Sequence, residues 1–569
     1  MIKNYFKLAW RNLLKNKIFS AINIIGLSVG MAACIVIMLF VSYEENFDAF
    51  HKKNIYRLNE VQKFEGMAAS QNVALSMFPM GPTLQSEFPE IKNHCRIFIM
   101  DKIPFVYKEK KIFVPKFGWA DSTFLKMFDF KLARGNRNAF DKWGSIIISQ
   151  KMATLLFGNE DPIGKTITRE WRDSLQFTVT GILENVPENS HLQFDILATL
   201  SPKTKKEQMN TWGDNWVVTY LELNENTDIK ALEKKFPAYL KDHLGEGQKN
   251  YELFLQPLKD VHSASSTITH DYLNFQKFDR RYTSVFSVIA FIVLAIGCVN
   301  FMNLSTARSA RRAKEVGVRK STGATRTQLI AQFLYESLLY AFIALLFAVL
   351  LVKLFLPFVN NISQRQLEFS LFSNISLLLI LIGGTFIVGI ISGLYPAFYL
   401  SSFIPIKVLK GSATTGSNKS FIRNALVVGQ FACAVFFLIA TIFVTKQLSF
   451  MQTSEQGFNR EQVLAIPLHT LKEEKYNELK TELLKNAAIT DVAGSTQRLG
   501  NNLHQTGALF RGDGPEIEIA PSHVIVDKNY LRLYKISLVA GRDFNSTDNR
   551  QAFIVNEMMA KELLKNNPG

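Results

Sequence analysis

Residues 305–337 read STARSARRAKEVGVRKSTGATRTQLIAQFLYES, a strongly basic stretch between two long apolar runs. It holds seven basic residues by position 326, with one acid, Glu315, among them. Apolar and basic positions alternate at helical spacing up to Gly323, a suitable residue for a left-handed helix end. Thr325 and Gln328 have the spacing of a capping box that begins the next helix. The stretch therefore predicts a helix, a break and a second helix that enters the membrane, so whatever binds this loop can push on a transmembrane helix.

Five segments are long and apolar enough to cross a bilayer, which takes about 20 residues. They are roughly residues 18–41, 285–304, 333–356, 375–400 and 425–445. Glu336 lies in the first turn of the third span, where it can stay near the interface or pair with the basic loop. Gly389 and Gly393 in the fourth span fit the small-xxx-small pattern of close helix packing, although glycine is also common in membrane helices.

Three short segments account for nearly all of the net charge of +16. Residues 1–17 carry +5, residues 305–330 carry +6 and residues 401–423 carry +4. Short basic segments beside spans belong on the cytoplasmic side. The N-terminus is therefore predicted to be cytoplasmic, with residues 44–282 and the tail after residue 446 outside. The basic excess follows membrane topology and gives no indication of nucleic-acid binding.

A signal peptide is the alternative for the first span, because residues 31–34 (MAAC) loosely resemble a lipoprotein cleavage site. The apolar run is, however, longer than a signal h-region of about 7–15 residues and continues past Cys34. The preceding basic residues recur every four positions, which predicts a basic amphipathic helix over residues 1–17 on the inner membrane face. These residues are Lys3, Lys7, Arg11 and Lys15.

Residues 44–282 mix strand and helix patterns and predict an α+β domain on the outer side. Strands are expected at residues 145–148, 177–183 and 216–223, and helices at residues 149–157 and 230–244. The acids Glu44, Glu45 and Asp48 follow the first span directly and predict a solvated membrane exit.

No pattern in the chain makes a convincing catalytic or metal site. Residues 158–166 have five residues between two glycines, whereas a phosphate-binding loop needs four. Glu160 and Asp161 would also repel phosphate, so a structural turn is the better interpretation. His191 and His262 have no partners at metal-ligand spacing and are expected to be structural. We therefore expect no catalytic, cofactor or metal site within this chain.

The chain begins to repeat near residue 420. Residues 120–135 parallel residues 526–541 with a constant offset of 406, and residues 147–149 parallel 554–556. The repeated unit is a span, an outer domain and three further spans, and the second copy stops at Gly569. A C-terminally truncated or degenerated eight-span protein is the expectation, and a naturally short form is the alternative.

Several segments together resemble the FtsX-like, MacB-type permeases of ABC transporters, and the resemblance covers essentially the whole chain. Residues 311–326 and 328–337 are similar to the cytoplasmic coupling segment of that family and are its most specific match. Further similar segments are residues 10–17, 26–30, 161–165, 185–192 and 258–262. The resemblance implies the duplicated, eight-span form, and a membrane protein with an α-helical transmembrane bundle and α+β extracytoplasmic domains of the MacB-like periplasmic core type.

The resemblance also implies a domain order along the chain. The expected parts are a cytoplasmic amphipathic helix (1–17), the first span (18–43), a MacB-like periplasmic core domain (44–282), an FtsX-like permease domain with three spans (283–400), a cytoplasmic linker (401–423), the fifth span (424–446) and an incomplete second periplasmic core domain (447–569).

The same resemblance implies that a separate cytoplasmic ABC ATPase dimer docks on the basic loop and uses the ATP, so that this chain needs no cofactor. Closure of the dimer would be transmitted through the spans to the outer domain. Topology alone is the alternative for the basic residues, but it would not require an acid and two glycines among them. The residues expected to couple to the ATPase are Arg308, Arg311, Arg312, Glu315, Gly317, Arg319, Lys320, Gly323 and Arg326.

Three functions are compatible with these features. A permease subunit in the cytoplasmic (inner) membrane would export or extract a lipoprotein, a peptide or a drug-like compound. A signalling protein would instead regulate a cell-wall hydrolase or relay a sensed ligand through the same coupling. A one-component receptor is disfavoured, because the sequence carries no kinase or cyclase pattern. Besides the ATPase, the implied partners are membrane lipids and a periplasmic adaptor or outer-membrane protein, with no nucleic acid.

Overall fold

The computed structural model describes residues 2–64, 70–171, 173–307, 309–371, 374–403, 417–454, 457–468, 471, 473–500, 504–505, 508–510, 517–519, 521–545, 548 and 552–565. The chain forms two compact units. The helical unit comprises Met1–Asn46 and Asp279–Thr453, and the sheet unit comprises Phe47–Phe278 and Ser454–Gly569.

The α-helices of the described chain fall into four groups along the sequence. The first group is α1 (Ile2–Lys15) and α2 (Lys17–Glu45). The second, in the sheet unit, is α3 (Met80–Glu87), α4 (Phe124–Met127), α5 (Gln150–Phe157), α6 (Pro202–Gln208), α7 (Ile229–Glu233), α8 (Phe236–Leu244) and α9 (Leu258–Val261). The third is α10 (Arg280–Ala307), α11 (Ser309–Ser321), α12 (Arg326–Ser363), α13 (Ile375–Ser401) and α14 (Ser417–Thr453). The last is α15 (Glu473–Leu483), α16 (Tyr530–Tyr534) and α17 (Glu557–Lys565).

The β-strands all belong to the sheet unit. They are β1 (Ile55–Gln62), β2 (Gln71–Val73), β3 (Ser76–Met77), β4 (Ile91–Tyr107), β5 (Lys110–Ala120), β6 (Leu132–Arg134), β7 (Ser145–Ser149), β8 (Thr166–Glu170), β9 (Ser174–Leu183), β10 (Ile196–Thr199), β11 (Asn215–Leu223), β12 (Tyr251–Pro257), β13 (Ile268–Thr269), β14 (His504–Gln505), β15 (Ala508–Phe510), β16 (Ile517–Ile519) and β17 (Ser522–His523).

Five helices of the described chain are long and apolar enough to cross a membrane, namely α2, α10, α12, α13 and residues 423–453 of α14. Each of the five predicted spans lies inside one of them. In a bilayer only helices or closed barrels can satisfy every backbone polar group, and long apolar helices satisfy theirs internally. The helical unit is therefore that of a multi-pass membrane protein.

Helix α12 is the central element of the helical unit and packs against both α2 and α13. The side chains of Tyr340, Ala344, Ala348 and Val352 on α12 are at most 2% exposed. These residues recur every four positions, so one face of the helix is fully covered along several turns. Small residues on this face let the neighbouring helices approach closely.

Two glycines on α13 allow that approach. A Cβ atom added at Gly389 would lie 2.7 Å from Cδ2 of Leu338, and one added at Gly393 would lie 2.7 Å from the Cβ atom of Ser337. Leu338 and Ser337 belong to α12. Carbon atoms in contact normally stay about 3.5–4.0 Å apart. Only glycine therefore fits at these two positions without displacing α12.

Gly393→Ala is expected to destabilise the helical unit by about 1–3 kcal/mol, because the added methyl overpacks the contact with Ser337. Gly384→Ala is the matched control, since a Cβ atom at Gly384 would meet no atom within 4 Å. Unfolding of the full chain in detergent by increasing denaturant measures both variants. Equal stability of the two variants would contradict the close approach.

The sheet unit is built around a 13-stranded mixed sheet with the strand order β13-β2-β1-β11-β4-β5-β10-β7-β9-β6. Strand β12 pairs with β1, β3 pairs with β11, and β8 pairs with β4 and β9. The long hairpin of β4 and β5 runs from Ile97 opposite Ala120 to Tyr107 opposite Lys110. Most neighbours are antiparallel, but β10 is parallel to β5, β7 is parallel to β9 and β13 is parallel to β2.

The helices of the sheet unit cover distinct parts of this sheet. Leu156 and Phe157 of α5 pack with β7 and β9 in one cluster, and Phe236 and Tyr239 of α8 pack with α3 and β12 in another. A third cluster, rich in phenylalanine, surrounds α4. Successive side chains of a strand point to opposite faces of the sheet. The residues on each covered face are therefore buried.

The predicted strands at residues 145–148, 177–183 and 216–223 correspond to β7, β9 and β11. The predicted helix over residues 230–244 was wrong as one element, because α7 ends at Glu233 and α8 begins at Phe236. Pro237 lies in the first turn of α8. Its ring would clash with the carbonyl four residues earlier in a continuous helix, which explains the break.

The predicted solvated exit after the first span was wrong for two of its three acids, whereas Glu45 is exposed as predicted. Glu44 is 1% exposed and Asp48 is 3% exposed. Glu44 pairs with Arg365 within the helical unit, and Asp48 pairs with His191 within the sheet unit. Buried charges require such partners. Sequence reasoning missed them because both partners lie far away along the chain.

The repeat recurs in the backbone conformation. Gly135 and Gly541 are 406 residues apart and have φ angles of +95° and +84°. The amide of Phe124 donates to the carbonyl of Asp121 at 3.0 Å. In the second copy, the amide of Tyr530 donates to the carbonyl of Asp527 at 3.1 Å. Helices α4 and α16 follow these two aspartates. The aspartate turn and the glycine therefore have the same local structure in both copies, whereas residues 147–149 lie in β7 and the equivalent residues 554–556 form no strand.

Candidate functional site

The basic stretch forms helix α11, which is followed by a sharp break at Gly323. Gly323 has a φ angle of +97°, and the amide of Ala324 donates to the carbonyl of Arg319 at 3.0 Å. The next helix begins with a capping box, in which Thr325 accepts from the amide of Gln328 at 3.3 Å and donates its own amide to the Gln328 side chain at 3.0 Å. The predicted helix, break and helix are confirmed.

One face of α11 is buried against two membrane helices. Ala313 is 1% exposed and Val316 is 2% exposed. Val316 packs in a cluster with Leu329 and Phe333 of α12 and with Ala397 and Leu400 of α13. Gly317 also lies on this buried face. Helix α11 is therefore a packed part of the helical unit and is held by apolar contacts on two neighbours.

A buried ion pair joins α11 to α12. Both terminal nitrogens of Arg312 donate to the carboxylate of Glu336, one of them at 2.8 Å to Oε2. The side chains are 18% and 6% exposed. Burial alone would lower the pKa of Arg312, but the charge and hydrogen bonds of Glu336 outweigh it and raise that pKa. The contact is bidentate, which fixes orientation as well as distance.

Two further basic residues of α11 form hydrogen bonds within the helical unit. Arg319 donates to the side chain of Gln332 on α12, and to Glu315 at 2.6 Å. The ammonium group of Lys320 donates to the carbonyls of Ser401 at 2.6 Å and Phe403 at 3.0 Å. These carbonyls end α13, where the helix dipole favours a cation.

The opposite face of α11 is open. Lys314, Glu315, Val318 and Thr322 are exposed, as is Arg326 at the start of α12. The apolar side chain of Val318 is 54% exposed. Basic residues around an exposed valine form a small surface on which a protein partner with acidic groups can pack. We call this set of five residues the docking face.

The residues predicted to couple to an ATPase thus separate into two groups. Arg312, Gly317, Arg319 and Lys320 hold α11 on the spans, whereas Glu315, Gly323 and Arg326 are exposed. Arg308 lies outside the described residues, and the side chain of Arg311 is likewise outside them. The predicted packing residues Gly389 and Gly393 lie against α12 as given above.

Sequence reasoning missed Lys314 and Val318 of the docking face and Gln332 of the attachment. The spacing of four between Lys314 and Val318 places them on one side of a helix and could have identified them. No sequence signal marks the carbonyls of Ser401 and Phe403, because every residue has one.

The sheet unit offers little for catalysis. Within the described residues, no group of three or more His, Cys, Asp or Glu side chains could hold a metal ion. Residues 158–166 form a turn between α5 and β8, as predicted, and their carboxylates are occupied. Asp161 accepts two hydrogen bonds from Arg134, and Glu160 accepts from Tyr107 and Lys108.

Two family models match the chain. The model described as the MacB-like periplasmic core domain matches residues 20–239, and that described as the FtsX-like permease C-terminal domain matches residues 287–405. Together they cover more than half of the 569 residues. The second match contains α11 and the two helices on which it packs.

Individual relatives also match parts of the chain. The uncharacterized ABC transporter permease YknZ of Bacillus subtilis is 28% identical over 197 residues, which are 35% of this chain and 45% of that protein. The macrolide export ATP-binding/permease protein MacB of Pasteurella multocida is 21% identical over 71% of this chain and 60% of its own length. The chain thus spans less than two thirds of each relative. A permease domain from Porphyromonas gingivalis aligns over 36% of this chain and 90% of its own, at 21% identity and a TM-score of 0.31.

Proposed function

Because the chain belongs to the FtsX-like, MacB-type permeases of ABC transporters, we propose that it is the membrane subunit of a complex driven by a separate cytoplasmic ABC ATPase dimer. In this proposal the dimer binds the docking face, and its closure moves α11. The movement passes through the spans to the sheet unit, which works on the outer side of the membrane.

The observation that carries the proposal is the two-sided construction of α11. One side is fixed to α12 by the Arg312–Glu336 pair and to the end of α13 by Lys320. The other side exposes Lys314, Val318 and Arg326. A helix that served only to fix topology would need its charges but no such attachment. A force applied to the docking face must instead displace two spans together.

The proposal puts α11 on the cytoplasmic side of the cytoplasmic (inner) membrane, with the N-terminus on the same side. The basic charge of residues 1–17, 305–330 and 401–423 supports this orientation. An ATPase dimer would then reach α11, and the sheet unit would lie outside, in contact with an adaptor or an outer-membrane partner where one exists.

Substitution of the docking face tests the proposal. The variant Lys314→Ala/Val318→Ala/Arg326→Ala is expected to lower stimulation of a candidate ABC ATPase from the same organism at least about tenfold, because truncating the central residues of an interface commonly costs 2 kcal/mol or more. Each of these side chains is exposed, so the variant should insert and fold normally. ATP hydrolysis with the full chain in lipid nanodiscs is the measurement.

The matched control removes two exposed basic residues from the N-terminal helix α1. Lys7→Ala/Arg11→Ala changes nearly the same charge on the same predicted side of the membrane. If the control loses stimulation to the same degree, bulk charge and not the docking face carries the effect. Full stimulation by the triple variant would overturn the docking role.

The identity of the transported substrate is a separate proposal. We propose export or extraction of a lipoprotein, a peptide or a drug-like compound, with macrolide export named for the MacB relatives alone. The alternative is a signalling protein that moves the sheet unit without transport. An extrusion assay in cells that express the chain with its ATPase separates the two, because only a transporter lowers the internal concentration of a compound.

A further inference from the structure

A second buried ion pair lies at the opposite end of α12. The Nε atom of Arg365 donates to Oε1 of Glu44 at 2.7 Å, and the two side chains are 13% and 0% exposed. Arg365 directly follows Gln364, whose φ angle of +54° ends α12. Glu44 lies in the last turn of α2. Two buried ion pairs thus attach α12 to other helices, one at Glu336, about three turns after its start, and one at Arg365, directly after its end.

Helices α2 and α12 run side by side in the same direction. Near the start of α2 and about four turns into α12, the hydroxyl groups of Ser20 and Tyr340 are hydrogen-bonded at 2.8 Å. Near their ends, Glu44 meets Arg365. Glu336 lies one turn before Tyr340 on the same face of α12. The distance along α12 from Glu336 to its end is about 40 Å at 1.5 Å per residue, enough to cross the apolar core of a membrane.

The chain beyond Glu44 is firmly held in the sheet unit. Phe47 stacks on His262 with ring centroids 3.4 Å apart. Asp48 accepts from His191 at 2.7 Å, and the other ring nitrogen of His191 is hydrogen-bonded to Tyr220 at 2.7 Å. All five of these side chains are at most 3% exposed. Only Glu45 and Asn46 separate Glu44 from this anchored segment.

We propose that the Glu44–Arg365 pair is the outer joint of the permease, a positioning contact through which α12 passes displacement of α11 to the end of α2. The proposal deepens the proposed function and rests on it, because such a joint matters only if α11 is pushed. Helix α12 is continuous from Arg326 to Ser363, with Pro357 inside it. Directional, buried contacts at Glu336 and directly after Ser363 transmit a displacement better than apolar packing, which allows sliding.

The alternative is that the pair only stabilises the helical unit. The two roles differ in one measurable respect, which is energetic coupling between the two ends of α12. If Arg365 carries the displacement, then a change at Glu336 should reach residues 46–51 through it. If the pair is only structural, then changes at the two ends should act independently.

The test is a double-mutant cycle in the full chain in lipid nanodiscs, without any ATPase. Glu336→Gln, Arg365→Gln and the double variant are compared with the unchanged chain. Hydrogen exchange is read at the amides of residues 46–51, where the amide of Asp48 donates to Asn189 at 2.9 Å and that of His51 donates to Asp48 at 3.1 Å. Residues 145–149 in the centre of the sheet serve as internal control.

Glu336→Gln is expected to speed exchange at residues 46–51 at least about fivefold in the unchanged background and far less in the Arg365→Gln background. An equal effect in both backgrounds, or none in either, overturns the joint. If Glu336→Gln does not fold, as loss of protection at residues 145–149 and 344–352 would reveal, Arg312→Lys provides the milder perturbation. Because the experiment contains no ATPase, its failure is distinguishable from failure of the proposed function, which loss of ATPase stimulation reports.

Discussion

Glu336→Gln is expected to destabilise the helical unit by about 3–5 kcal/mol, because it leaves the guanidinium of Arg312 buried without a counter-charge. Helix α11 should detach from α12 and become accessible to protease. Unfolding of the full chain in detergent and limited proteolysis of residues 309–321 measure the two effects. The double variant Arg312→Met/Glu336→Leu should lose less stability than Glu336→Gln, since it removes both charges together.

The control for this prediction is the other ion pair of α11. Glu315 and Arg319 are paired at 2.6 Å, but their side chains are 42% and 28% exposed. Glu315→Gln should cost no more than about 0.5 kcal/mol, as is usual for a solvent-exposed pair four residues apart on a helix. Similar losses for Glu315→Gln and Glu336→Gln would show that burial does not set the strength of the attachment.

Asp121→Asn is expected to be the most damaging single change in the sheet unit, at about 3–5 kcal/mol. Asp121 accepts from Nε of Arg96 at 2.8 Å and from a terminal nitrogen at 2.9 Å, with both side chains less than 5% exposed. Burial alone would raise the pKa of Asp121, but the hydrogen bonds and charge of Arg96 hold that pKa well below its ordinary value. Denaturant unfolding followed by tryptophan fluorescence at several pH values measures the loss.

The sign of the pH dependence follows from the lowered pKa. A carboxyl group with a depressed pKa contributes its full stability above its unfolded pKa of about 4, and loses it as the pH falls toward the folded value. The difference between the unchanged chain and Asp121→Asn should therefore be constant above about pH 5 and shrink below pH 4.

The control is an exposed pair of the same chemistry. Arg134 and Asp161 form two hydrogen bonds at 2.7 and 2.8 Å, and their side chains are 52% and 57% exposed. Asp161→Asn should change stability by well under 1 kcal/mol at any pH. A comparable loss for both aspartates would refute the special role of Asp121.

The local features of the fold follow from short-range patterns. The break at Gly323, the capping box at Thr325 and the apolar lengths of the spans are each encoded within a few residues. The repeat likewise predicts that Gly135 and Gly541 share a conformation. Such signals depend only on neighbours along the chain, and this is why they can be recognised before any tertiary contact is known.

The partners of buried charges could not be found in this way. Glu44 and Arg365 are 321 residues apart, and Asp48 and His191 are 143 apart. From the sequence alone, an acid next to a span is expected to be solvent-exposed, because the basic residue that pairs with it in the fold lies far away along the chain. The sequence could not show which of the predicted coupling residues hold α11 on the spans and which are exposed. Only packing decides which side of α11 faces α12 and α13.

The contact of Lys320 has a consequence for how this protein can vary. Its ammonium group donates to two main-chain carbonyls, at residues 401 and 403. The contact itself therefore sets no requirement on the side chains at those two positions, whereas no other residue could replace the long, flexible cation at position 320 except arginine. Selection on this contact should fall on position 320, while Ser401, which is 0% exposed, and Phe403, which packs beside Tyr399, are constrained by their own packing.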